Sequence, residues 1–233
     1  MVTLLLSPFI KVYFYLRCLW GKDRIECVRN RFGVASADRP AGRLMWVHAA
    51  SVGESLAAMT FIRHMKKRHP DWGVLLTTVT VTSADLLSGR MGGLDNCIHQ
   101  FVVADNPIWV RRFLRHWCVN AAVFLESEIW PSIVRELHRY GIPTFLLNAR
   151  LSPKSFRRWS RWGKFFTSIL GKFTAILAQS EMDAERYAKF SPSNTESMDN
   201  LKYANAPLPC DDVLLARCSR ICSGRMVLVA AST

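Results

Sequence analysis

Acidic residues are scarce in this sequence. The 233 residues include 18 Asp and Glu against 31 Lys and Arg, which gives a formal net charge of +13. This excess of positive charge favours an anionic partner, whether nucleic acid, anionic lipid or a phosphorylated substrate. Charged residues make up only 21% of the chain and apolar residues 50%. That balance argues against disorder and allows one sizeable core.

Motifs for metals, disulfides and nucleotides are also missing. The cysteine count is odd and no CxxC pair occurs, so we predict reduced thiols in a cytosolic setting. The six histidines form no HExxH-like spacing, and we predict no metal site. Neither a P-loop nor a GxGxxG fingerprint occurs, so nothing indicates a nucleotide site of those types.

The N-terminus lacks an uncharged apolar run long enough to cross a bilayer. Residues Met1–Trp20 are strongly apolar but include Lys11 and Arg17. Spanning ~30 Å of hydrocarbon takes about 20 apolar residues. Basic residues follow at Lys22, Arg24, Arg29 and Arg31. Since they suit an anionic cytoplasmic leaflet, we predict a membrane-anchor helix with a basic flank over residues 1–31. A cleaved signal peptide and an ordinary buried helix remain alternatives.

After residue 40, short apolar runs alternate with amphipathic stretches, which predicts an α/β, Rossmann-like parallel sheet. The predicted strands are Leu44–His48, Val74–Thr78, Ile98–Val103, Ala121–Glu126, Thr144–Asn148 and Thr174–Gln179. The predicted helices are Glu54–Arg68, Ser83–Arg90, Pro107–Trp117, Pro131–Arg139, Ser155–Leu170 and Glu181–Phe190. Farther on, the pattern predicts a loop over Ser191–Pro209, a helix over Asp211–Arg220 and a strand over Met226–Ala231.

Ligands of open α/β sheets bind beyond the carboxyl ends of the strands, which selects four segments. In the first, Ser51, Gly53 and Glu54 lie between a strand and a helix. The small residues allow close approach of a ligand, and Gly53 would permit an unusual φ. Glu54 in the first helical turn could act as a general base, or it could merely complement the helix dipole.

The next two segments carry hydroxyls and carboxylates. The hydroxyl run Thr77–Thr82, with Thr80 and Thr82, could bind sugar or phosphate oxygens, or it could belong to a strand that finishes in a helix N-cap. Glu126 and Glu128 are two residues apart and would point the same way if the strand persisted. The alternative for Glu128 is to cap the helix that starts at Pro131.

The fourth segment, with Asn148, Arg150 and Ser152, leads into the predicted helix Ser155–Leu170. The helical spacing places Arg157, Arg161 and Lys164 on one face, and Trp159, Trp162, Phe166 and Leu170 on another. A basic, aromatic helix of this kind is typical of a membrane-surface element. A core helix with a solvated basic face is the alternative. RNA binding lacks any named signature, so we predict no nucleic-acid partner.

Together, the segments HAASVGE, TTVTVTSA, ESEIWPSI, NARLSPKSF and DNLKY resemble the 3-deoxy-D-manno-octulosonic acid (Kdo) transferase family, in the same order. The resemblance runs to about residue 205. It implies the N-terminal half of a two-domain GT-B glycosyltransferase on the cytoplasmic face of the inner membrane. That half would receive the lipid A precursor, lipid IVA, while the other half holds CMP-Kdo. Transfer in the family is inverting and needs neither metal nor cofactor.

The resemblance also implies roles for individual residues. Glu54 matches the family's proton acceptor, and Glu126 and Lys202 match two residues that stabilise the transition state. Further substrate contacts are expected at Ser51, Gly53, Thr80, Thr82, Glu128, Asn148, Arg150 and Ser152. The sequence departs from the family at Asp199, where glycine is common, and at Ala104, where proline is usual.

The domain division implied is an anchor with its basic flank (1–31), an acceptor domain (32–205) and a linker with the start of a donor domain (206–233). The printed sequence stops where the family continues into the donor domain, so no CMP contacts can be assigned. We therefore expect that these residues alone transfer no Kdo. The alternative is a catalytically inert remnant that binds membranes or lipid A.

Overall fold

A computed structural model describes residues 7–20, 23–92, 94–204 and 211–228. Its strands are β1 Leu44–His48, β2 Gly73–Thr78, β3 Cys97–Phe101, β4 Ala121–Leu125, β5 Thr144–Ala149, β6 Ala175–Ala178 and β7 Thr195–Ser197. All pairs are parallel, and they form one seven-stranded sheet in the order β3-β2-β1-β4-β5-β6-β7. The predicted α/β, Rossmann-like fold is confirmed.

The centre of the sheet is the pair β1 and β4. Trp46 of β1 aligns with Leu75 of β2 on one side and Ala122 of β4 on the other. The chain builds outward from β1 through β2 to β3 and then returns to β4 on the opposite side of β1. The strand order therefore reverses between β1 and β4. In open α/β sheets this switch point opens a crevice beyond the carboxyl ends of the two strands.

Helices cover both faces of the sheet. They are α1 Ser7–Leu19, α2 Ile25–Arg31, α3 Val52–Arg68, α4 Val81–Ser88, α5 Pro107–Trp117, α6 Pro131–Arg139, α7 Pro153–Ser160, α8 Gly163–Leu170, α9 Glu181–Ala188 and α10 Asp212–Cys222. On one face, Trp46 and Phe124 pack with Phe113 of α5 and Phe166 of α8. Residues of opposite strand parity, such as Val47, pack with α3 on the other face. Two buried faces explain why the central strands are apolar throughout.

Local signals set several helix boundaries. Proline stands in the first turn of α5 and of α6, where it has no intrahelical partner to lose. The predicted bounds Pro107–Trp117 and Pro131–Arg139 are both confirmed. Asn106 caps α5 by accepting a hydrogen bond from the Ile108 amide at 3.0 Å. The helix ends at Cys118, whose φ of 42° is left-handed.

The predicted helix Ser155–Leu170 is wrong as a single element. It is divided into α7 and α8, and Trp162 between them leaves the helical conformation with ψ of 32°. Gly163, a poor helix former, follows the break. Trp159 stacks on Phe166 with ring centroids 4.4 Å apart, whereas Trp162 is 67% exposed. Trp162 therefore does not belong to the packed apolar face.

The structure also differs from the predicted loop and from the predicted strand near the C-terminus. The predicted loop Ser191–Pro209 contains β7, which is too short and too polar to be recognised from its sequence. It also contains 3₁₀ turns at Pro192–Asn194 and Leu201–Ala204. The strand predicted over Met226–Ala231 is absent from residues 226–228, which have no regular structure. Residues 229–231 lie outside the described part of the chain.

One residue of the predicted basic flank, Arg31, is buried. Arg31 is 5% exposed, and its guanidinium donates to the carbonyls of Val79 and Val102 beside the sheet. It therefore cannot face a membrane leaflet, whereas Arg24 and Arg29 are exposed. None of the helices in the described residues has the length and apolarity that crossing a bilayer requires. The interfacial anchor stays a prediction.

Candidate active site

The loop after β1 folds around the carboxylate of Glu54. Ser51 caps α3, and its hydroxyl oxygen accepts a hydrogen bond from the Glu54 amide at 3.2 Å. In return, Glu54 Oε1 accepts from the Ser51 hydroxyl at 2.9 Å, and Oε2 accepts from the Ala50 amide at 2.8 Å. This reciprocal pattern is close to a capping box. It fixes the Glu54 carboxylate at the carboxyl end of β1.

The surroundings of Glu54 raise the pKa of its carboxyl group. Its side chain is buried, and this desolvation raises its pKa above the ordinary value. The hydrogen bonds from Ala50 and Ser51 oppose the rise, while the negative charges of Glu128 and Glu126 add to it. Burial therefore outweighs the two hydrogen bonds that favour the charged form. A carboxylate oxygen has two lone pairs, so Glu54 can cap the helix and still accept a proton.

Gly53 differs from its prediction. It lies within the first turn of α3 and has no positive φ, so the unusual φ expected there is wrong. A Cβ added to Gly53 would meet nothing within 4 Å. The protein's own packing therefore does not require glycine, and the space beside it is open.

The loop after β4 is strained. β4 ends at Leu125, so the strand does not persist to carry Glu126 and Glu128 on one face, as the sequence analysis supposed. Glu126 instead takes a left-handed φ of 56°, and Asn148 at the end of β5 takes the same value. Such conformations are uncommon for residues other than glycine and are concentrated at functional sites. Both lie at the carboxyl edge of the sheet.

Glu128 does not cap the following helix. Its Oε2 accepts a hydrogen bond from Trp130 Nε1 at 2.7 Å and lies 3.5 Å from His48 Nε2. The first turn of α6 is capped from another loop, since Asp105 Oδ1 accepts from the Ile133 amide at 2.9 Å. The capping interpretation of Glu128 is therefore wrong. Its side chain turns toward β1, which joins the loops on either side of the switch point.

Asn148 connects this edge to the segment that carries Lys202. The buried Asn148 side chain accepts a hydrogen bond from the Leu201 amide at 3.0 Å through Oδ1. Leu201 opens the 3₁₀ turn Leu201–Ala204, which packs against α3. The backbone of Lys202 is thus held beside α3, the helix that carries Glu54 in its first turn, although the Lys202 side chain is outside the described atoms. Asn148 Nδ2 is buried without an acceptor among the described residues.

Two of the other residues predicted to contact substrate cap helices. Thr80 caps α4 by accepting from the Ser83 amide, and Ser152 caps α7 by accepting from the Ser155 amide, both at 3.2 Å. Thr82 and Arg150 are exposed. Contact of these four residues with a substrate stays a prediction. The switch point also brings in His48, Thr77 and Trp130. Of these, only Thr77 had a predicted role, as part of the hydroxyl run Thr77–Thr82, and the signal for the other two was their position at or near strand ends.

The chain was compared with known proteins. A family model described as 3-deoxy-D-manno-octulosonic-acid transferase matches residues 26–205. The 3-deoxy-D-manno-octulosonic acid transferase of Rickettsia felis is 40% identical over 193 residues, covering 83% of this chain and 41% of the relative. That of Rickettsia bellii is 34% identical over 232 residues, covering 100% and 55%. The chain therefore spans about half the length of these curated relatives.

A solved structure supports the fold. The UDP co-structure of Staphylococcus aureus MnaA has a TM-score of 0.50 and 7% identity, and the match covers 75% of this chain and 50% of that one. At so low an identity the likeness concerns the fold alone. With the family match over residues 26–205, it follows that this chain belongs to the Kdo transferase family.

Proposed function

We propose that this chain is the acceptor-binding half of an enzyme that transfers Kdo from CMP-Kdo to lipid IVA in lipopolysaccharide biosynthesis. The observation that carries the proposal is Glu54, a buried carboxylate with a raised pKa at the switch point of the sheet. Glu126 and the turn of Lys202 lie at the same edge. The family match gives the sugar, and the site offers the groups that an inverting transfer needs.

The proposed chemistry begins with the proton. Glu54 accepts the proton of a lipid IVA hydroxyl as the hydroxyl oxygen bonds to the anomeric carbon of Kdo. The bond from that carbon to the phosphate oxygen breaks on the opposite side, and CMP leaves with the electron pair. The carboxylate of Glu126 would stabilise positive charge at the oxocarbenium-like centre, and the ammonium of Lys202 would stabilise the departing phosphate.

We also infer attachment to an anionic membrane surface, on the cytoplasmic side of the inner membrane. In α1, Phe9 is 73% and Leu19 80% exposed. Around α8, Trp162 and Phe165 are exposed among basic residues. Aromatic and basic side chains exposed together are typical of interfacial helices. Removal of residues 2–20 should weaken binding to anionic vesicles, and equal binding would contradict the anchor.

The direct test joins this chain to the remaining C-terminal residues of the Rickettsia felis relative. We expect the joined protein to form Kdo-lipid IVA from CMP-Kdo and lipid IVA, in the presence of a chelator. Lipid IVA binding without any transfer would support the inert lipid-binding alternative instead. Absence of both binding and transfer by a folded protein would contradict the proposal.

A further inference from the structure

His48 is completely buried at the end of β1, yet it faces a carboxylate. Its ring lies edge-on to Phe124 and Trp130, with centroids 5.7 and 6.3 Å away. Nδ1 lies 2.9 Å from Thr77 Oγ1 and 3.1 Å from the Thr77 carbonyl oxygen. On the other side of the ring, Nε2 lies 3.5 Å from Glu128 Oε2. A buried imidazole between a hydroxyl and a carboxylate has a defined arrangement of protons.

The direction of the hydrogen bonds is set by Trp46. An indole N–H can only donate, and Trp46 Nε1 donates to Thr77 Oγ1 at 2.8 Å. The Thr77 hydroxyl must then place its own proton on another acceptor. His48 Nδ1 at 2.9 Å is much closer than the Val47 carbonyl at 3.5 Å. The favoured arrangement therefore has Thr77 donating to Nδ1.

This arrangement leaves the ring proton on Nε2, where it points at Glu128. If the ring is instead doubly protonated, Nε2 carries a proton as well. Only a ring protonated solely at Nδ1 would turn a lone pair toward the carboxylate, and that contact would be repulsive. Trp130 donates to the same oxygen of Glu128 at 2.7 Å. Trp130 is thus the hydrogen-bond donor to Oε2, while His48 Nε2 faces the same oxygen across 3.5 Å without a hydrogen bond, and no donor from the described residues contacts Oε1.

We propose that His48 is a positioning residue, the last member of a one-directional hydrogen-bond chain from Trp46 through Thr77 that orients Glu128 for a sugar hydroxyl of the acceptor. Glu128 Oε2 is held from the protein side, and Oε1 accepts the hydroxyl proton. The role in binding rests on the proposed function, whereas the proton arrangement does not. His48 touches no reacting atom in this assignment.

The proton arrangement is tested by NMR of the ¹⁵N-labelled 233-residue chain, with the spectrum of His48→Gln used to assign the ring nitrogens. We expect a proton on Nε2 of His48. A bare Nε2 with the proton on Nδ1 would overturn the proposal. Thr77→Val removes the hydroxyl at nearly constant volume and should move ring protons toward Nδ1. Thr77→Ser keeps the hydroxyl and should preserve the wild-type signals.

The positioning role is tested by lipid IVA binding to the same variants. His48→Gln keeps an N–H near the position of Nε2 and should bind almost as well as wild type. His48→Phe keeps an aromatic ring without the N–H that faces Glu128 and should bind several-fold more weakly, less than the loss of a full hydrogen bond to a charged group would give, because the contact spans 3.5 Å. Equal affinities for the Gln and Phe variants would overturn the proposal.

Two outcomes separate this inference from the proposed function. If His48→Phe fails to fold, the Thr77 pair decides, because valine should lower lipid IVA affinity and serine should not. If the wild-type chain binds no lipid IVA, the proposed function fails. In that case the NMR result alone decides whether the hydrogen-bond chain exists, and the positioning role falls with the function.

Discussion

The loops after β1 and β4 differ from the loops after β2 and β5, although all four end strands at the same edge of one sheet. In the first pair, polar side chains face the switch point: Glu54 is buried, and Glu126 is held in a left-handed conformation. In the second pair, Thr80 and Ser152 cap their own helices. Ser51 caps α3 in the same way, so capping occurs in both pairs of loops, and what distinguishes the first pair is its carboxylates beside the switch point.

The largest expected effect on this comparison comes from Glu54→Gln in the joined enzyme. The substitution keeps the shape and removes the proton acceptor, so transfer should fall by about 10²–10⁴. Glu181→Gln is the matched control, since Glu181 also lies in a first helical turn but is exposed. Initial rates with saturating lipid IVA measure both. Wild-type rates for Glu54→Gln would remove this residue from the mechanism.

The pH dependence of the transfer rate of the joined enzyme should report the ionisation of Glu54. Burial raises the pKa of Glu54 above its ordinary value, and the base works only when deprotonated. We therefore expect the rate to fall as the pH drops through this raised pKa, at a higher pH than an exposed glutamate would give. A rate that stays constant until the ordinary range of glutamate would contradict the raised pKa.

Glu126→Gly should separate catalysis from stability. Glycine relieves the left-handed strain, so the free energy of unfolding should rise by up to about 1 kcal/mol. Transfer should nevertheless fall about 10²-fold, because a charge near the transition state is lost. Cys118→Gly is the control: it also has a positive φ but lies at the exposed end of α5, and should stabilise without slowing transfer. Denaturant-induced unfolding measures the change in stability, and initial rates measure the change in transfer.

Thr80→Ala and Ser152→Ala test the other side of the comparison. Each removes a helix cap, so the free energy of unfolding should fall by about 1 kcal/mol. Each hydroxyl accepts from an amide of its own helix and can still donate its proton, so lipid IVA affinity tests the predicted substrate contact separately from stability. A large loss of affinity without a loss of stability would show that these loops also bind the acceptor.

The smallest effect is expected from Gly53→Ala. No atom lies within 4 Å of the added Cβ, and alanine is the better helix former, so stability should rise by about 0.5–1 kcal/mol. Any fall in lipid IVA affinity would then report a ligand that occupies the open space. Loss of stability would instead show that the first turn of α3 is packed more tightly than described.

The sequence predicts what local chemistry determines. Prolines and caps give the bounds of α5 and α6, and strand ends locate Glu54 and Glu126. Long-range contacts are not predictable in this way. His48 and Thr77 are 29 residues apart and meet only through the register of β1 and β2. Helical periodicity also cannot reveal the break at Trp162, because the apolar residues keep the same helical spacing on both sides of it.

The most direct test of the central claim is to map lipid IVA onto the 233-residue chain by NMR. Binding at the switch point predicts chemical-shift changes at residues 49–54 and 125–130, next to the ends of β1 and β4. Away from the switch point, a basic cavity of about 740 Å³ lies along α3, lined by Arg63, Lys67 and Arg90 among others. Shifts confined to that cavity, with none around Glu54, would contradict the account.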